Sequence, residues 1–184
     1  LRRGVLEFGT IDVQPARDRN LQRERDAPAQ WFEVTLHEGK NREVRRVLAP
    51  GSQVYVTEVM NASFLLDPYS PNVWRYWMAF NDFQIESGGD PFIGAKLGNL
   101  LLAGGYRDVT TQIKTFHFDN REPARRKTMI AFWEELLLSA ADQLLDAGKV
   151  TQDVVDGVRR EMRDVQNDPN AVFFYSFVQA RATV

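Results

Sequence analysis

Two runs rich in β-branched and aromatic residues, Tyr106–Phe118 and Ala171–Ala180, are separated by a stretch that reads almost wholly as helix, and this limits the fold more than any other feature. The stretch holds a long segment rich in Leu, Ala and Glu from about Ala124 to Ala147, closed by Gly148. A second helix follows, capped by Thr151, with Val154, Val155, Val158, Met162 and Val165 on one stripe. Two long helices that join two strands must lie over the sheet those strands belong to. A third run, Val54-Tyr55-Val56-Thr57-Glu58-Val59, shows little polar alternation and reads as a buried strand of the same sheet. The expected architecture is an α/β layer in which strands near 53–59, 106–118 and 171–180 share one sheet, with the last strand antiparallel between the other two.

Composition removes several classes of function. The 184 residues contain no cysteine, which excludes a disulfide-stapled scaffold, thiol catalysis and Cys-ligated metal centres. His37 and His117 lie too far apart in sequence for a local zinc motif, so no metal is expected. No apolar run approaches the roughly 20 residues that cross a bilayer. Leu1-Arg2-Arg3-Gly4 has no hydrophobic stretch behind it and no initiating methionine. A cytoplasmic protein whose chain begins inside a longer reading frame is therefore expected.

Charge divides the chain near Pro50. Residues 1–50 carry ten Lys or Arg against eight Asp or Glu, leaving thirteen against seventeen in the remainder. Arg42, Arg45 and Arg46 concentrate positive charge beside Lys40 on an expected helix over 41–48, with Asn41 as its N-cap, and could attract phosphate; a solvated helix face is the alternative. Upstream, residues 4–13 and 31–36 read as strands and 15–29 as a polar loop. Downstream, Ser70-Pro71 marks a helix start, with a capping hydroxyl and a proline at the first helical position. Val73, Trp74, Trp77 and Phe80 fall on one side of that helix, which Gly88-Gly89-Asp90-Pro91 ends. A further helix, about Phe92 to Ala103, turns Ile93, Leu97, Leu100 and Leu101 inward and is closed by Gly104-Gly105.

The run from Trp31 to Leu48, and above all Glu38-Gly39-Lys40-Asn41-Arg42-Glu43-Val44-Arg45-Arg46, resembles the carboxy-terminal part of the catalytic domain of rRNA pseudouridine synthases. The resemblance implies a small amino-terminal α+β segment, residues 1–48, whose Lys40, Arg42, Arg45 and Arg46 bind RNA. The family's catalytic aspartate belongs to an upstream Gly-Arg-Leu-Asp-type motif that this sequence lacks, and a Leu-x-Arg strand of the family is replaced here by Val56-Thr57-Glu58.

Residues 49–184 resemble a different family. Arg46 to Val59 is similar to the helix, Leu-x-Pro-Gly-Gly turn and fifth strand of class I S-adenosylmethionine-dependent methyltransferases. Gly88 to Gly94, Leu97 to Tyr106, Asp108 to Phe118 and Val172 to Ala180 keep that family's order through an antiparallel seventh strand. The resemblance implies a partial Rossmann-like sheet, S-adenosylmethionine as cofactor and a small-molecule methyl acceptor bound near Glu58, Trp74, Trp77 and Asp90. Glu58 would act as a base or orient the acceptor, and the tryptophans would roof it. Core packing is the alternative for the aromatics, and helix capping for Asp90. The family's Gly-x-Gly-x-Gly turn and ribose-binding acidic residue are not found, so the expected function is that of an acceptor-binding half, inactive alone. The competing readings are a pseudouridine synthase fragment that binds RNA, or a fusion of two gene fragments with no activity.

Overall fold

The computed structural model describes the backbone of residues 11–15 and 32–36 and all of residues 48–184. Strands β1 (Ile11–Pro15) and β2 (Phe32–Leu36) pair antiparallel as a two-stranded sheet, with Ile11 opposite Leu36 and Pro15 opposite Phe32. The expected helix over 41–48, together with Lys40, Arg42, Arg45 and Arg46, lies outside the described residues.

The main sheet is built around one strand. β6 (Val172–Thr183) pairs antiparallel with β3 (Gln53–Val59) and with the short β4 (Leu65–Asp67) on one side, and with β5 (Arg107–Phe118) on the other. β3 and β5 therefore run parallel to each other, with the last strand antiparallel between them as expected. The class is mixed α/β, and the sheet is a four-stranded open one. Every pairing among the described residues is antiparallel, and the adjacent parallel strands of a complete doubly wound sheet are not among them. β4 was not expected, and β6 runs three residues beyond Ala180.

Helices cover the sheet unequally. Along β6, Phe173 and Tyr175 point into a core built with α1 (Pro71–Glu86), α3 (Pro123–Leu138), α4 (Ala141–Asp146) and α5 (Gln152–Asn167). Ala180 and Ala182, of opposite parity, face α2 (Ile93–Ala103) with Leu97, Leu101 and Tyr106. α2 comes close enough to β3 that a Cβ on Gly94 would stand 2.7 Å from the Val59 carbonyl oxygen. The α5 stripe of Val154, Val155, Val158, Met162 and Val165 is buried throughout, as its period requires.

Two helix ends depart from expectation. Ser70 occupies the N-cap position of α1, but its hydroxyl donates to the Pro68 carbonyl. The free amides of Asn72 and Val73 instead donate to the Glu161 carboxylate of α5, at 2.8 and 3.0 Å, and the Asn72 side chain donates to its other oxygen at 2.6 Å. Gly157 makes this possible, because a Cβ there would collide with Asn72 at 2.4 Å. The long helix expected from 124 to 147 breaks at Ser139-Ala140. The Ser139 hydroxyl takes the Leu136 carbonyl and the Tyr76 phenol takes that of Leu137, so two terminal carbonyls are satisfied without another turn of helix.

Candidate functional site

β3 ends opposite Phe177, partway along β6, and the turn after it holds one of the few buried polar side chains among the described residues. That residue is Asn61, in the 3-10 turn (Asn61–Ser63) that follows β3, and a cluster of polar contacts centres on it. Its backbone amide donates to the Pro91 carbonyl at 3.0 Å, and its carbonyl accepts from the Trp77 indole at 3.2 Å. Its side-chain amide donates to Asn81 Oδ1 at 2.7 Å while its Oδ1 accepts from the Tyr175 hydroxyl at 2.6 Å. One residue thus ties the end of β3 to α1, to the turn before α2 and to β6. Asn61 and Asn81 are buried and bonded to each other, which is what a dry polar centre requires. Burial pushes the Tyr175 phenol up to about 12, so it serves as a donor and not as a base.

The four residues expected to bind an acceptor lie on β3, on α1 and in the turn before α2. Glu58 stands three positions before Asn61 on the face of the sheet that α2 covers, opposite Val178. It is half-buried, and burial raises its carboxyl above the ordinary range, while a hydrogen bond from the Val59 amide works the other way. Trp77 is 4% exposed and is enclosed by Phe64, Phe80, Trp133 and Tyr175, with ring centroids 5.0 to 6.4 Å away. Trp74 is half-buried against Phe64. Asp90 accepts from the Phe92 amide at 3.0 Å and from Lys96 at 2.6 Å, which lowers its carboxyl pKa, the Lys96 bond contributing most. Trp77 and Asp90 thus have structural partners here, and Glu58 is the ionisable group of the four whose charge is disfavoured by its surroundings.

Sequence reasoning missed Asn61, Asn81 and Tyr175, since a lone Asn after a strand reads as turn. It also missed Arg126, which is 1% exposed. Its guanidinium donates to the carbonyls of Pro169 and Ala171 at 2.9 and 3.4 Å, just past the carboxyl end of α5, where a helix favours a cation. The signal was available in the spacing: Arg126 falls on the same helical stripe as Ile130, Trp133 and Leu137, all buried. Arg126 Nε and Trp133 Nε1 reach no acceptor among the described residues. At the end of β5, Arg121 donates to Asp119 through its backbone amide and its Nε, and these bonds hold the Asp119 carboxyl at about 2. His117 Nε2 lies 3.8 Å from the same carboxylate on the exposed surface.

Among the described residues, no group of three or more His, Asp or Glu side chains is placed to hold a metal ion, and no helix is long and apolar enough to cross a membrane. No known protein-family model matches the chain, and no curated protein is significantly similar to it.

Proposed function

We propose that residues 49–184 derive from the acceptor-facing half of a class I S-adenosylmethionine-dependent methyltransferase and that the chain does not methylate by itself. The observation that carries this reading is the placement of β6, antiparallel between β3 and β5, which themselves run parallel. That is the order implied by the resemblance of these three segments to strands five, seven and six of the family.

The cofactor does not fit the residues described. A nucleotide cradle needs glycines spaced closely on one strand-to-helix turn, with amides pointing at the ligand. Gly51, Gly88, Gly105 and Gly148 are turn glycines at positive φ, and none belongs to a Gly-x-Gly-x-Gly run. Gly89, Gly94, Gly104 and Gly157 are each pressed against the chain's own atoms. On the outer side of β3, where a sheet would continue toward a cofactor-binding half, no strand pairs among the described residues. No step of methyl transfer is therefore assigned to any side chain.

Isothermal titration of the purified chain with S-adenosylmethionine tests the proposal, and no saturable binding in the micromolar range is expected. Losing two charge-assisted or backbone hydrogen bonds costs on the order of 3 kcal/mol, roughly a hundredfold in affinity. A stoichiometric micromolar site would overturn the reading of an inactive half.

A second reading concerns the amino-terminal segment. β2 pairs with β1 and immediately precedes the Lys40 to Arg46 run, as the pseudouridine-synthase resemblance implies for a strand opening onto an RNA-binding helix. RNA affinity resting on those four basic residues must fall steeply with salt. Salt-independent binding, or binding unchanged when Arg42, Arg45 and Arg46 are all replaced by alanine, would remove it.

A further inference from the structure

β5 is a twelve-residue strand that pairs on one side only among the described residues, and its residues from Thr110 to His117 are all exposed. It contains no proline. Ile113 is 70% exposed on one face and Phe116 39% on the other. A long open edge of this kind, rich in β-branched residues, is a template for another strand. Beyond the irregularity between Arg107 and Thr110, the strand is regular to Phe118, so the usable edge begins at Thr110.

The strand can pair with itself antiparallel without setting like charges together. Two copies paired antiparallel about a two-fold axis must meet at a residue that faces its own equivalent, because opposed residues share a face. An axis at Lys114 sets two ammonium groups against each other. An axis at Thr115 sets Lys114 against Phe116 and Ile113 against His117. An axis at Ile113 opposes Ile113 with Ile113, Thr111 with Thr115, Gln112 with Lys114 and Thr110 with Phe116. This register covers the most exposed apolar side chain of β5, makes two Thr–Thr pairs and places no like charges together. Gln112 already donates to Gln179 at 2.9 Å within its own sheet, so its side-chain carbonyl is turned toward an acceptor's role for the facing lysine.

We propose that the outer edge of β5 binds a second copy of this chain, joining two four-stranded sheets into one through antiparallel pairing centred on Ile113. The contact is one strand wide, below the roughly 1,600 Å² of a standard stable interface, so the dimer is concentration-dependent. The inference does not rest on the methyltransferase reading.

Sedimentation of the full chain over a concentration series, up to about 0.5 mM, should show a reversible monomer–dimer equilibrium. Gln112→Lys sets lysine against Lys114 twice and should weaken the dimer at least about tenfold, and adding Lys114→Glu should restore it. Both positions are exposed, and circular dichroism confirms that the variants fold. Because the chain has no cysteine, single-cysteine variants report the register directly. Ile113→Cys should be captured as a covalent dimer by a short bismaleimide, whereas Thr110→Cys, whose partner is Phe116, should not. A monomer throughout the series, indifference to the charge swap, or equal capture of the two cysteine variants would each overturn the proposal.

Discussion

β5 and β6 have the same length, lie side by side and draw on the same residue types, yet they occupy opposite environments. β6 has strands on both sides and helices over both faces, and Phe173, Tyr175, Ala180 and Ala182 are buried. β5 has one neighbour among the described residues, and of its own residues only Phe118 is buried. Strand propensity is therefore the same statement in both places, while the contribution to stability is set by position in the sheet. The clearest way to break this comparison is a truncation in each strand. Phe173→Ala, which removes a ring packed against Phe64, Phe118 and Trp133, should cost about 3–5 kcal/mol in denaturant unfolding. Ile113→Ala should stay within about 0.5 kcal/mol, and equal losses would mean that β5 is covered by something other than solvent.

Next in size is the polar anchor of β6. Asn61→Ala leaves the Tyr175 hydroxyl and Asn81 without their partner in a dry site, and should cost about 2–3 kcal/mol. A loss near zero would show that water replaces the side chain. Tyr175 also gives the central strand an alkaline limit that β5 does not share. Its phenol is raised from 10.0 to about 12 in the folded state, chiefly by burial, as is that of Tyr76. A raised folded value means that stability is complete below about pH 10 and is lost as pH climbs through 12. Tyrosinate absorbance and unfolding should change together over that window, and Tyr175→Phe should flatten the loss while costing about 1 kcal/mol at neutral pH.

Much of the framework was legible because it depends on local period. The α5 stripe and the Gly148 and Asp168-Pro169 stops follow from patterns within one segment, whereas the central antiparallel place of the last strand is what the methyltransferase resemblance implied. What was not legible depends on distant pairs. The carboxylate that caps α1 is Glu161, far along the chain, and the closeness that allows it comes from Gly157, which looks like a poor helix residue until Asn72 is set against it. The break after Leu138 likewise needs Tyr76. Of the residues expected to bind an acceptor, Trp77 and the turn that holds Asp90 lie beside Asn61, but the inward or outward aim of their side chains was not legible. An aromatic stripe has the same spacing whether it lines a pocket or fills a core, and Trp77 fills a core.

Glu58 supplies the smallest effect and the sharpest contrast between an edge strand and a central one. It lies in β3, whose outer edge is unpaired among the described residues, yet its side chain is half-buried beneath α2 and its carboxyl is raised by that burial. A raised carboxyl is neutral in the folded state over part of the range in which the unfolded chain has already ionised. Its favourable contribution is therefore present at low pH and disappears as pH rises through the folded value, opposite in sense to that of the exposed, Arg121-bonded Asp119. Glu58→Gln, which keeps the shape and removes the charge, should stabilise the chain at neutral pH by on the order of 0.5 kcal/mol and have no such effect in acid. Unfolding curves at several pH values decide it. A destabilisation at neutral pH would mean that the carboxylate has an ionic partner, and that the end of β3 is a charged site instead of a desolvated one.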